Sequence, residues 1–334
     1  MKLLLAIGCL CYLSWPCFAA GERPVGELMF VGMGRPAETV TQNQGPQLTF
    51  KQTHIYGAAG SRPGELMQPT AVASGFGGMY VVDSGNGRIQ KMDVLGNFLF
   101  QFGDSGTTAG GLEHPVGIAI DNTLHVYVTE ALGHRISRFT DKGTFETSFG
   151  SFGLRHGELN TPAHLCVDGD GNLWVADSGN DRIEEFSRTG EFKQVIGAYG
   201  QGMGYLNKPL DVAVDRNRRV WVADSENHRI QRFNQFGQFE LAFGAYGTSL
   251  SEFNRPVSLA VDWDGWIYVL DAGNQRVQVY DDYLRFAGTL PLDFKFGQHL
   301  AVDRDQLCIV DGSNGRILVY NISKNAVGGN TMKP

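Results

Sequence analysis

Prolines recur at Pro69, Pro115, Pro162, Pro209 and Pro256, first 46 and then 47 residues apart. An acidic residue keeps the same interval at Asp83, Glu130, Asp177, Asp224, Asp271 and Asp311. Five residues after each stands an arginine: Arg88, Arg135, Arg182, Arg229, Arg276 and Arg316. Six copies of one unit therefore occupy most of the 334 residues. A unit of about 45 residues cannot close a core by itself and has to bury its apolar faces against its neighbours.

The third copy shows what the unit is made of. PAHLCVD, NLWVAD, RIEEFS and GEFKQVIG are short runs rich in β-branched and aromatic residues, each bounded by Gly, Asn or Asp. No segment sustains a helical period. Four strands per copy, six times over, predict an all-β chain: a six-bladed β-propeller of four-stranded blades. The sixth copy has HLAVD, LCIVD and RILVYNI, but the tail KNAVGGNTMKP offers no fourth strand. The segment QLTFKQTHIYG, residues 47–57, ends like the fourth strands that finish at Gly103, Gly150, Gly197 and Gly244, so it is expected to complete the last blade and close the ring. The propeller then spans 47–323, after a signal peptide (1–20) and an N-terminal extension (21–46), and before a C-terminal tail (324–334).

The signal is read from Lys2, the apolar stretch Leu3–Leu13 and the small residues Cys17, Ala19 and Ala20, with cleavage after Ala19 or Ala20 and export to the periplasm or the medium. No later stretch approaches the roughly 18 apolar residues of a membrane span, so none is expected after cleavage. Cys9, Cys11 and Cys17 leave with the signal. Cys166 and Cys308 lie in strand-like contexts of distant repeats and are expected to be buried free thiols rather than a disulfide framework. Net charge is -7, from 28 Lys plus Arg against 35 Asp plus Glu, with no long basic run, which speaks against nucleic acid as a partner.

Segments such as PAHLCVDGDGNLWVADSGNDRIEEF and PLDVAVDRNRRVWVADSENHRIQRF resemble the NHL repeat family. The resemblance implies a six-bladed NHL propeller. Within that family, the peptidylglycine alpha-amidating lyases hold zinc with histidines directly after the proline that opens a blade. Here those places are Thr70, Val116, Ala163, Leu210, Val257 and, by alignment, Gln298, and the turns after the acidic residue lack the tyrosine such lyases use. Members that act in ubiquitin transfer carry RING or B-box zinc modules, and this chain has no C-x-x-C pair.

A catalytic set is needed once, whereas a turn is needed in every blade. The recurring Asp, Asn and Arg are therefore expected to brace turns, and Tyr80, Tyr127, Trp174, Trp221 and Tyr268, with Cys308 in the last copy, to pack between blades. Asp168-Gly-Asp170 and Asp262-Trp-Asp264 read as tight turns rather than calcium loops. Two residues after each blade-opening proline the channel ring reads Ala71, Gly117, His164, Asp211 and Ser258, with His299 in the matching place of the last copy. His164 and His299 belong to opposite blades, which places them too far apart to share an ion and makes solvated channel histidines the expectation. The loops between blades vary most, and they carry Arg62, Arg155, His156, Tyr199, Tyr205, Lys208, Tyr246 and Arg255 as candidate contacts for a ligand or partner. Phe253 belongs to the same basic and aromatic mixture. The sequence thus points to an exported, monomeric, non-catalytic scaffold that binds a protein, peptide or small ligand on the loop face and needs no cofactor. The alternative is a channel-metal lyase or lactonase-like hydrolase built on His164, Asp211 and His299.

Overall fold

The computed structural model describes residues 47–75 and 77–325. The expected signal peptide and N-terminal extension, and the tail from residue 326 on, lie outside the described residues. Six four-stranded antiparallel sheets follow one another as blades. Their innermost strands are Ala71–Gly75, Pro115–Ile120, Leu165–Val167, Pro209–Val214, Pro256–Val261 and Gly297–Asp303. Blade 4 is typical, with Pro209–Val214, Val220–Asp224, Arg229–Phe233 and Phe239–Phe243 in order from the axis outward.

The pattern of each strand follows from its place. The second strand, VWVAD in blade 4, is buried at all five positions because a neighbouring blade covers each face. Outermost strands such as Phe145–Phe149 alternate half-buried with exposed residues, since one side meets water. The cores lie between blades. Trp221 and Ala223 of blade 4, for example, pack with Leu259, Ile267 and Val269 of blade 5. The recurring aromatics send their polar tips to a carboxylate or carbonyl: Trp174 and Trp221 donate to Asp168 and Asp215 at 3.0 Å, and the Tyr80 hydroxyl donates to the Asp141 carbonyl at 2.7 Å.

The ring closes through its ends. The strand Gln47–Tyr56 pairs antiparallel with Arg316–Asn325, from Gln47 opposite Asn325 to Tyr56 opposite Ile317, and forms the outer edge of blade 6. That third strand runs two residues past the expected boundary at 323. Close approach of the inner strands needs one particular glycine. A Cβ on Gly117 would stand 2.8 Å from the His164 Cα and 2.9 Å from the Ala163 carbonyl oxygen, so any other residue would push blades 2 and 3 apart at the axis.

Candidate functional site

Inner strands bring His164, Asp211, Ser258 and His299 to the axis, and all four are buried. The ring centroids of His164 and His299 are 4.5 Å apart. This corrects the expectation of two separated, solvated histidines. At mid-height the six inner strands converge so closely that side chains from opposite blades touch, leaving His164 6% and His299 8% exposed.

Asp211 holds this belt together. Its Oδ2 accepts the Ser258 hydroxyl at 2.6 Å and the Leu259 N–H at 3.0 Å, and its Oδ1 accepts the Val212 N–H at 2.8 Å. The Ser258 oxygen in turn accepts the Leu300 N–H at 3.1 Å, so that hydroxyl is committed to structure. Burial pushes Asp211 up to about 7 against those three hydrogen bonds. Burial also pushes His164 down to about 4, with a backbone interaction from Gln298 opposing it. His299 sits well below the usual range, through burial and then the neighbouring imidazole. Both rings are therefore neutral near pH 7. The Val72 N–H points at His299 Nδ1 from 3.5 Å, which leaves the ring proton on Nε2, 4.0 Å from Asp211 Oδ2. Among the described residues no three His, Cys, Asp or Glu side chains converge as a metal-holding group.

The belt divides the channel. Toward the loop face lies a cavity of about 510 Å³, lined by His164 below and by Val116, Leu210, Val257 and Arg255 at its sides. On the other side of the belt a smaller cavity of about 220 Å³ meets Asp211, His299 and Cys166. Cys166 and Cys308 are both free thiols; Cys308 is buried and Cys166 half-buried, and burial raises both thiol pKa values.

The recurring turn residues are spent on architecture. Each buried carboxylate holds the arginine five residues on, at 2.7 to 3.0 Å: Asp83 with Arg88, Glu130 with Arg135, Asp177 with Arg182, Asp224 with Arg229, Asp271 with Arg276 and Asp311 with Arg316. The arginine then grips the variable loop by its backbone. Arg182 donates to the carbonyls of Leu154, Arg155 and Glu158, each at 2.7 Å, and Arg229 to those of Gln201, Gly202 and Tyr205. Asn180 and Asn227 add bonds to the Gly153 and Gly200 carbonyls at 2.9 Å. The loop conformation is thus fixed from beneath, while side chains such as Arg155, Tyr199 and Tyr205 are left to solvent.

The structure distributes the sequence-predicted contacts over the whole loop face. Arg62, Arg155, His156 and Lys208 are exposed, as are Tyr199 (70%), Tyr205 (52%) and Tyr246 (69%). His156 stacks on Phe192 with centroids 5.0 Å apart, and Tyr246 meets His228 edge-on at 4.9 Å. Phe253 is fully buried between blades 4 and 5 and serves packing. Only Arg255 shares the channel-mouth cavity with His164. Sequence reasoning missed Lys295 and Phe296, which also line it, because the loop leading into blade 6 lacks the proline that marks the other five. A backbone signal links them: Gln68, His114, Thr161, Lys208 and Arg255, each immediately before its blade-opening proline, and Phe296, immediately before Gly297, all hold φ between 45° and 62°. The N–H groups of Thr161, Lys208 and Arg255 are capped by His134, Asp181 and His228 of the preceding blade. The same left-handed residue thus ends each loop that enters a blade, and Arg255 and Phe296 of the six line the channel-mouth cavity.

A family model for the NHL repeat matches residues 159–186, 206–233 and 253–280, in blades 3, 4 and 5 with their preceding loops. No curated protein matches the sequence. Solved structures that resemble it include a Bacteroides thetaiotaomicron protein of unknown function, with TM-score 0.65 and 15% identity over 83% of this chain and 77% of that one. A virginiamycin B lyase from Staphylococcus aureus has TM-score 0.58 and 12% identity over 82% and 99%. A gluconolactonase from Xanthomonas campestris has TM-score 0.57 and 16% identity over 81% and 96%. At these identities the likeness is one of fold alone.

Proposed function

The chain is an NHL-repeat six-bladed β-propeller, and on that scaffold we propose that it is an exported, non-catalytic recognition protein that binds a protein, peptide or small ligand on the loop face, at the mouth of the channel. The observation that carries this reading is the division of labour between residues. The Asp, Asn and Arg that recur in the blades are consumed by internal braces, whereas side chains that differ between loops stand exposed on this face, and Arg255, Lys295 and Phe296 among them line a cavity of about 510 Å³. A cavity of that size suits a ligand of drug-like dimensions or one anchoring side chain of a partner. Its side walls are apolar at Val116, Leu210 and Val257, and Arg255 and Lys295 supply cations at the rim.

The test is mass spectrometry of the natively purified protein beside two variants. Leu210→Trp fills the cavity from its wall, and a triple replacement of Lys208, Arg255 and Lys295 by Ala strips charge from the rim and the loop beside it. A bound molecule present in the parent and lost from both supports the reading. One retained by both moves the site off this face. The three rim changes are on exposed side chains and should each alter stability by less than about 0.5 kcal/mol, so loss of ligand is separable from loss of fold.

A second reading, a channel lyase or lactonase-like hydrolase, draws on the contact of His164 with His299 beside Asp211. It requires stoichiometric zinc, iron or calcium in the purified protein, lost on His164→Ala.

A further inference from the structure

Lys91 lies on the third strand of blade 1, and its ammonium is buried without a hydrogen-bond or ion-pair partner among the described residues. The equivalent positions of the next three blades are Arg138, Glu185 and Arg232, and each of those is paired with a residue of the outer strand beside it. Arg138 meets Glu146 at 2.9 Å, Glu185 meets Lys193 at 3.0 Å, and Arg232 meets Glu240 at 2.8 Å. In blade 1 the outer-strand place is taken by Leu99, whose side chain is half exposed and carries no charge. The cation was kept and its counter-charge was not.

The missing partner leaves room. Lys91 lines a cavity of about 190 Å³ between blades 1 and 2, with apolar walls from Tyr80, Phe100 and Leu124. Its Nζ stands 3.9 Å from the centre of the Tyr80 ring, much as the Arg232 guanidinium stands 5.1 Å from Trp221. Asp141 and Lys142 complete the lining. Burial disfavours the Lys91 ammonium and the Asp141 charge favours it, yet the two form no ion pair, and the lining as a whole holds two cations and one anion. An unpaired ammonium in such a place is costly, and the group that relieves it has to bring a negative charge on a small, partly apolar body.

We propose that this cavity is a binding site for a small monocarboxylate with a short apolar chain, whose carboxylate takes the place of the glutamate that blades 2 and 4 provide internally. The carboxylate pairs with Lys91, with Lys142 at the outer edge, and the chain packs on Tyr80 and Phe100. Acetate would fill only part of the space, and a three- or four-carbon acid fits it better.

The experiment uses the full chain labelled with ¹³C at the lysine ε carbons, titrated with sodium butyrate and separately with butyramide, at constant ionic strength. The Lys91 signal is the one absent from Lys91→Gln. Butyrate should move it saturably, and butyramide, the same shape without the charge, should bind at least about tenfold more weakly. Leu99→Glu changes a half-exposed residue, restores the internal pair of the sibling blades and should shift the Lys91 signal of the free protein and abolish its response while leaving the fold intact, so the signal is identified and the proposal tested even where Lys91→Gln does not fold. A Lys91 signal that ignores butyrate, follows butyramide equally, moves only as all surface lysines do, or still responds in Leu99→Glu overturns the site.

Discussion

Glu184 stands where blades 1, 4 and 5 place Gln90, Gln231 and Gln278, and one atom separates their consequences. The Gln90 amide donates to Asp83 at 2.9 Å and to the Glu65 carbonyl at 2.6 Å while accepting the Gly64 N–H, and Gln231 repeats this with Asp224, Tyr205 and Gly204. Glu184 accepts the Gly157 N–H and meets Arg182 at 2.8 Å, but as a carboxylate it has nothing to donate to Asp177 or to the loop carbonyl. Burial pushes it up to about 7; Arg182 pulls the other way and Asp177 adds to the rise. Its folded pKa thus lies above the unfolded value, so the native state holds this proton more tightly. The stability it contributes is complete below about pH 4.5 and is lost as pH climbs toward 7. Glu184→Gln should therefore stabilise the protein by about 1–2 kcal/mol at pH 8 and by little near pH 4.5, as read by chemical denaturation at both pH values. A gain that does not change with pH would show that Glu184 is not titrating in this window.

At the level of the blade, the brace between second and third strands carries the variable loop, and its removal should be felt there first. Arg229→Met leaves Asp224 buried without its cation and the carbonyls of Gln201 and Gly202 without a donor, with Gln231 alone left to donate to the Tyr205 carbonyl. The expected cost is about 3–5 kcal/mol, with hydrogen exchange accelerated in residues 197–208 before the rest of the chain. Protection unchanged in that loop would mean that the arginine does not hold it. This brace was legible in the sequence because six repetitions separate what every blade needs from what one site needs. The blade count and the closing strand were legible for the same reason. The contact of His164 with His299 was not, because a repeat fixes which residues face the axis but not how near opposite strands come, and that distance depends on close approaches such as Gly117 against His164. Lys295 and Phe296 escaped because the last copy reaches its inner strand without the proline that sets the register elsewhere, so only the left-handed backbone at Phe296 reveals the equivalence with Arg255. The unpaired state of Lys91 needed both kinds of information: the aligned copies to show that Leu99 replaces a charge, and the packing to show that nothing else does.

For the whole ring, stability rests on its two ends meeting in one blade. The strand Gln47–Tyr56 supplies the outer edge of blade 6, and Tyr56 also packs with Val81 and Met92 of blade 1 and Val310 and Val319 of blade 6 while its hydroxyl donates to the Val94 carbonyl at 3.0 Å. A chain that starts at residue 58 loses this strand and exposes the N–H and C=O groups of Arg316–Asn325 as a free edge. Such a chain should melt more than about 10 °C lower and self-associate on size exclusion, because each open edge can pair with that of another copy. The peptide of residues 47–57, added in trans, should restore the elution volume of the full chain and most of the lost melting temperature by adding itself as the missing strand. A version with Tyr56→Ala should restore less, since it returns the backbone pairing without the aromatic that joins blade 6 to blade 1. If the shortened chain instead elutes as the full chain does, with an unchanged melting temperature, the six wedges close by face-to-face packing alone, and the strand Gln47–Tyr56 is an ornament of the sheet rather than its lock.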